Sequence, residues 1–407
     1  MNISKLKTGA AISGPAILSG AYASDNDITN IISDLYDGLD VVSRELVGFI
    51  PCVERNVSAE RAMVGQNVTY PITQEANVVD ISPSMAVPEP TSQEFDADSI
   101  VITKSRAAEF GWVGEEQKGL NTSVGYRSLQ ADMFAQGLRK LTNEIEADIA
   151  LEAALNASRM YGDAGTTPFA NDVGPTAQLR KILDDNGAPM TDRSFVGDTA
   201  MGAALRTLHN LTRVDEAGSA MTLRDGELLN LHNFSIKESA QIVNHIAGNA
   251  AAATTDGTAY PEGATQIVVP AGGTGAILAG DVITFAGDVN QYVVKVGVAD
   301  VAVGGTLEIV KPGLRVAIPA TATTITVLGN ATRNIGFTKS ALHLVTRAPA
   351  LPSQGDLAID RMMITDPRSG LTFEVSIYPG YRKVYAEVAI AWGQKAIKPA
   401  HIAGVLG

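Results

Sequence analysis

The residues that could do chemistry in this chain are few and scattered. Its five histidines, His209, His232, His245, His343 and His401, stand singly, and no His-x-x-x-His or His-Glu-x-x-His spacing occurs. A zinc site would have to be assembled from distant pieces. Glu115-Glu116 and Asp184-Asp185 are paired carboxylates, but chain neighbours do not face one substrate as an acid and a base must. They read as solvated side chains. Asp96-x-Asp98 lacks the glycine and the distal glutamate of a calcium loop. Gly272-Gly273-Thr274-Gly275 has the look of a phosphate cradle, yet no Lys-Ser/Thr follows, and a turn between strands is the plainer reading. No Gly-x-Ser-x-Gly elbow occurs. Cys52, beside Pro51 in an apolar run, reads as buried rather than nucleophilic. As the single cysteine it excludes an internal disulfide and any multi-cysteine metal site. The basic doublets Arg139-Lys140, Arg180-Lys181 and Arg382-Lys383 have no interleaved aromatics to stack bases. The sequence therefore assigns no catalytic, cofactor-binding or metal-binding residue, and the expectation is a protein that is not an enzyme.

Composition narrows the class further. The 407 residues carry 31 Lys+Arg against 44 Asp+Glu, a net charge of −13. That balance argues against a protein whose task is gripping nucleic acid. At 45% hydrophobic and 18% charged residues, wholesale disorder is excluded. The length fits two to four domains. No apolar run of about 18 residues is present, so no helix is expected to span a membrane. Lys5 and Lys7 before the stretch 10–18, then Ala21-Tyr22-Ala23, outline a secretory signal. Ser13, Gly14 and Pro15 interrupt its centre, so an N-terminal arm is the preferred reading.

The elements follow from periodicity. Within 25–43, Ile28, Ile31, Ile32, Leu35, Tyr36, Leu39 and Val42 recur at spacings of three and four, an amphipathic helix that must dock its stripe elsewhere. Residues 68–72 and 100–103 read as two strands of a long hairpin, joined by a proline-rich stretch with no helical period. From 126 to 160 a helical beat of Leu129, Met133, Phe134, Leu138, Leu141, Ile145, Ile149 and Leu155 predicts a spine, with caps at 121–123, a stop at Gly162 and a bend or close packing at Gly137. Helices are predicted over 176–185 and 199–211, around a short strand at 194–197. Residues 241–330 then hold 13 Gly and only nine charged residues. Short β-branched runs at 266–269, 281–285, 292–296, 307–310, 316–318 and 324–327 predict a separate antiparallel barrel or sandwich. Residues 336–346 fit strand or helix, 371–377 and 382–392 two strands around Pro379-Gly380, and 402–406 a short terminal strand.

Two segments carry a family resemblance. One is Ala279-Gly280-Asp281-Val282-Ile283-Thr284-Phe285-Ala286-Gly287; the other runs from 384 to 407, where Ala389-Ile390-Ala391-Trp392-Gly393 leads into Ala400-His401-Ile402-Ala403-Gly404. With the order of elements, they make the chain resemble the major capsid proteins of tailed double-stranded DNA bacteriophages, the Hong Kong 97 fold. It is most similar to coat proteins of short-tailed Salmonella-type phages with an inserted barrel. The resemblance implies an α+β fold divided into an N-terminal arm (1–45), an extended-loop hairpin (46–110), a peripheral domain with the spine helix (111–170), an axial domain (171–240), the inserted β-barrel (241–330) and return strands of the axial and peripheral domains (331–407). It further implies a homo-oligomer of hexamers and pentamers, a scaffolding protein and a portal as partners, and enclosure of double-stranded DNA without sequence-specific binding. No membrane or cofactor is implied. Assembly would occur in the host cytoplasm and the protein would reside in the virion. The loop 287–305 departs from the family's longer acidic loops, and no Lys–Asn pair matches the covalent crosslink of some relatives. A nanocompartment shell protein and a secreted surface-layer protein are the alternative expectations.

Overall fold

Residues 46–72, 80–81, 83, 96–115, 126–208 and 230–407 are described by the structure, a computed structural model. The predicted helix at 25–43, the caps at 121–123, Glu116 and His209 lie outside these residues.

The first strands are β1 (Glu54–Ala62), β2 (Asn67–Ile72), β3 (Asp96–Val101) and β4 (Lys104–Val113). β2 and β3 pair only with each other, in register from Asn67↔Val101 to Ile72↔Asp96. The two strands expected of the hairpin, at 68–72 and 100–103, thus belong to one antiparallel pair. β1 and β4 lie outside it because each finds a partner from the far end of the chain.

Helix α1 (Tyr126–Leu155) follows, 30 residues and roughly 45 Å long. Phe134, Leu138, Leu141, Ile145, Ile149 and Ala153 make its buried stripe. It stops at Leu155, earlier than the periodicity predicts, because the chain must straighten into β5 (Arg159–Tyr161) to enter a sheet. Then come α2 (Gly174–Asp185), β6 (Arg193–Gly197) and α3 (Thr199–Thr207), with β7 (Asn230–Leu231), β8 (Phe234–Glu238) and β9 (Asn244–His245) beyond. α2 ends at Asn186 and Gly187, the latter at φ +72°, as the sequence indicated. α3 ends at Thr207 rather than 211, since Leu208 is already extended.

Residues 241–330, the span expected to be an insertion, supply β10 (Ala253–Thr254), β11 (Gln266–Val269), β12 (Val282–Phe285), β13 (Gln291–Val296), β14 (Gly305–Ile309) and β15 (Thr324–Val327). The run at 316–318 forms only a bridge from Ile318 to Tyr260. The antiparallel path β10-β15-β12-β13-β14-β11 surrounds its own core of Ile267, Val269, Ile283, Phe285, Val294, Leu307 and Ile309. No ladder joins β10 to β11; the hydrogen bond from the Asp256 N–H to the Val268 carbonyl bridges the chain there. Nor is the unit fully separate, for β13 also pairs with β5. The period of two in a strand explains how one wall serves two cores. Ile283, Val294 and Ile309 face the insertion's core, while their neighbours Val282, Val293 and Val310 face the main core.

The last strands are β16 (Ala331–Thr338), β17 (Leu342–Pro349), β18 (Asp360–Thr365), β19 (Thr372–Gly380), β20 (Lys383–Ala396) and β21 (Ile402–Leu406). A six-stranded sheet runs β1-β17-β20-β19-β18, with β4 also on β20. β20 is buried on both faces from Val388 to Trp392: α1 covers one, and the hairpin root meets Ala391 on the other. Such double coverage is why this strand reads as an apolar run rather than an alternation. The β19–β20 turn falls at Tyr381 and Arg382, not Pro379-Gly380, because Gly380 pairs with Lys383 and Arg382 adopts φ +54°. β16 and β21 join β5, β6, β8 and β7 in the larger sheet, which packs against α2 and α3 through Leu179, Leu183, Phe195, Met201, Leu205, Phe234 and Val405.

Candidate functional site

The described histidines stay apart. His232 sits in the β7–β8 turn with Nδ1 2.8 Å from the Thr176 hydroxyl. His245 in β9 pairs with Asp281 at 2.8 Å. His343 in β17 is half-buried beside the Tyr70 ring and, like His401 ahead of β21, is held below the usual imidazole range by burial. Among the described residues, no group of three or more His, Cys, Asp or Glu has the arrangement to hold a metal. Cys52 is buried, and that burial pushes its thiol up. Gly272 to Gly275 forms a turn laid against 249–252, where Thr274 bridges to Ala251. Asp184 and Asp185 are not simply solvated. Asp184 takes the buried guanidinium of Arg193 at 2.7 Å, and Asp185 that of Arg159 at 3.4 Å. Arg180 adds a surface pair with Asp184 at 3.4 Å.

The polar groups that matter are those that fix one element on another, and sequence inspection passed over them. Along α1, Glu144, Asp148 and Glu152 lie four residues apart on one face. Lys104 of β4 reaches Glu144 at 3.0 Å and Asp148 at 2.8 Å. The Trp392 indole N–H donates to Asp148 at 3.0 Å, and the Ala396 amide to Glu152 at 3.1 Å. Glu146 points the other way and is fully buried. Its carboxylate accepts from the amides of Gly48, Phe49 and Ile50 at 2.6, 2.7 and 3.0 Å. Burial pushes this carboxyl up, and the three amides oppose that. So the segment before β1 is clasped to the middle of the helix.

A second clasp holds the hairpin. Ile100 and Ile102 pack with Ala62, Val345 and Ala391 at its root. Lys395 of β20 donates to Asp98 at 2.5 Å and to the Ser99 carbonyl at 2.9 Å, while the Tyr70 hydroxyl donates to Asp98 at 2.7 Å. Those bonds from Lys395 and then Tyr70 pull the Asp98 carboxyl down to about 2. Beyond the root Pro71 and Ala97 are exposed, and among the described residues no third strand joins β2 and β3. Met63 and Val64, in the turn between β1 and β2, are exposed too. The arrangement is suited to mechanics: a stiff helix, a sheet stapled along it, and a stem projecting from their junction.

A third clasp lies where the chain enters and leaves the insertion. Asp281 is fully buried and accepts from the Gly248 amide at 3.1 Å and the Leu278 amide at 2.7 Å, besides pairing with His245. Nearby, buried Arg333 donates to the Gly280 carbonyl at 3.1 Å, and its burial lowers it to about 10 against the opposing charge of Asp281. The Gly-Asp pair of the quoted motif is therefore a structural knot.

No known protein family matches the chain by its sequence, and no curated protein does. Solved structures similar to it include one titled as the capsid of the cyanophage P-SCSP1u, at TM-score 0.47 and 12% identity, covering 90% of this chain and 89% of that one. Another is from Mycobacterium phage Che8, at 0.45 and 13%, covering 89% and 92%. A virus-like particle from Pyrococcus furiosus is similar at 0.39 and 10%, covering 93% and 98%. Likeness of this degree, with TM-scores below 0.5, identifies neither family nor function for this chain. Among the described residues, no helix is long and apolar enough to cross a membrane.

Proposed function

We propose that this chain is a shell subunit, the major capsid protein of a tailed phage, assembling through hexamers and pentamers around double-stranded DNA. One observation carries the reading: the projecting β2–β3 stem. A two-stranded hairpin is at best marginally stable alone in water; here its root is held by an apolar cluster and an ion pair, and among the described residues no third strand pairs with it. A neighbouring subunit laid under it would supply that partner. The stapled helix and sheet give each subunit the stiffness a shell needs, and contacts that repeat head to tail close into rings. The acidic balance suits a container that encloses nucleic acid without gripping it. A scaffolding protein, a portal and residence in the virion belong to the same proposal. One of the similar structures is described as a capsid and another as a virus-like particle, but the hairpin and its clasp are what support the reading here.

The test is assembly of the purified chain, with and without a co-expressed scaffolding partner, followed by analytical ultracentrifugation and electron microscopy. Megadalton particles are expected. Replacing 73–95 by a short Gly-Ser linker should leave the monomer folded and abolish particles. A chain that stays monomeric under every assembly condition would overturn the proposal.

A further inference from the structure

A recess of about 580 Å³ opens where the exit from α2, the start of β6 and the β7–β8 turn meet. Sites for small molecules run to about 300–1,000 Å³. Its wall is polar. Asp192, Asn230, Asn233 and Ser235 line it, and among the described residues none of these side chains makes a hydrogen bond or an ion pair. His232 stands with them, its Nδ1 committed to the Thr176 hydroxyl and its Nε2 left over. Buried Arg193 lines the recess too; its Nε and Nη2 serve the Pro189 and Ala188 carbonyls and Asp184, while Nη1 has no acceptor. Met190, 58% exposed, adds an apolar edge.

The backbone here runs against local preference. Leu231 pairs with Phe234, so His232 and Asn233 are the whole of a two-residue turn, at φ +49° and +71°. A turn with positive φ at both places favours glycine, most of all at the second. Asp192 adds a third left-handed position, at φ +55°. Side chains are thus kept at three places where the backbone alone would do better without them, and two of the three make no bond inside the described chain.

We propose that this recess binds a neutral, hydroxyl-rich ligand, a pyranose ring of a saccharide. The side chains select it. An anion would face the Asp192 carboxylate. A cation would find that one carboxylate beside the Arg193 guanidinium, with no second acid to complete a metal site. An apolar ligand would leave every polar group of the wall without a partner. A hydroxyl both donates and accepts. Neighbouring hydroxyls can therefore give hydrogens to Asp192 and the amide oxygens, and take them from the Asn230 and Asn233 amides and the Ser235 hydroxyl. Met190 offers a surface to the C–H face of the ring. The inference stands apart from the shell reading, since it needs only the folded chain.

The test is saturation-transfer NMR on the purified full chain, with the methyl glycosides of glucose, galactose, mannose and N-acetylglucosamine as probes. Transfer to the ring protons of at least one probe is expected. Asp192→Gly and Asn233→Gly each remove a polar side chain where the backbone prefers glycine. Both should keep or raise the melting temperature and weaken binding by about tenfold. Ser235→Ala, on a strand, should weaken it in the same way and serves if a glycine substitution disturbs the fold. No transfer to any probe, or binding by the variants equal to that of the parent, would overturn the proposal. Displacement of the bound glycoside by dextran or mannan assigns the ring to a polymer, and failure of both assigns it to the free sugar; either result keeps the site. None of these measurements depends on particle formation, so a negative outcome leaves the shell reading standing.

Discussion

At the scale of single residues, two carboxylates take roles that their places in the sequence do not announce. Glu146 sits inside an apolar helix face, and only the structure shows three amides from 48–50 converging on it. Replacing it by Gln removes the charge from all three bonds and presents an N–H₂ where an acceptor is needed. Glu146→Gln should destabilise the fold by about 3 kcal/mol, read from urea unfolding; a change within about 0.5 kcal/mol would mean that the clasp contributes nothing. Asp98 makes a pH prediction. Its carboxyl titrates near 2 in the folded chain, against about 3.9 for an unfolded aspartate. Its contribution is therefore complete above about pH 4 and is lost as pH falls through 2, because the unfolded chain takes up the proton first. Hydrogen-exchange protection of 96–101 should fall over that window, and Asp98→Asn should show the acid-side protection level already at pH 5. Identical pH profiles for the two proteins would refute the assignment.

Among the elements, Gly137 separates two readings that sequence alone left open. Intrinsic propensity predicts that replacing a mid-helix glycine by leucine stabilises by somewhat under 1 kcal/mol. In the fold, a Cβ at this position would lie 2.7 Å from Phe110 Cζ and 3.1 Å from Ala108 Cβ, so α1 meets β4 there with no room to spare. Gly137→Leu should cost about 2–3 kcal/mol instead, measured by the shift of the urea midpoint; a gain would show that the helix can back away. The same comparison explains what the sequence did and did not reveal. α1, α2, β15 and β21 were legible because each carries its full periodic signal within its own residues. β1 and β4 were not, since Glu54–Ala62 and Lys104–Val113 are polar and exposed along much of their length and become strands only through β17 and β20. The turn at Tyr381-Arg382 was misplaced because Pro379 and Gly380 are the stronger local turn signals, and the ladder overrode them. The clasps were invisible in principle: Asp148 and Trp392, or Glu146 and Gly48, meet only after the chain has crossed itself.

At the scale of the whole molecule, the apolar side chains of the described residues gather in four clusters joined by shared walls rather than in beads on a string. β12, β13 and the end of β14 present alternate residues to the insertion and to the body, so the insertion is coupled to its host through strands and not merely through two linkers. Asp281 governs how tight that coupling is. Asp281→Ala leaves the Gly248 and Leu278 amides unpaired and Arg333 buried without the opposing charge, a loss of about 3 kcal/mol or more. Limited proteolysis should then cut preferentially around 245–250 and 278–281 while the six-stranded sheet stays protected; uniform loss of protection would show that body and insertion unfold as one. The parallel pairing of β1 with β17 has a consequence in time. Glu54 meets His343 and Arg55 meets Leu344, partners that lie about 290 residues further along the chain. At about 5–20 residues per second of synthesis, β1 waits about 15–60 s for the strand that completes it. Throughout that interval the apolar stripe of α1 has no sheet to cover. A nascent chain in this condition exposes apolar surface of the kind chaperones bind, so the order of synthesis, not only the final packing, sets its risk of aggregation.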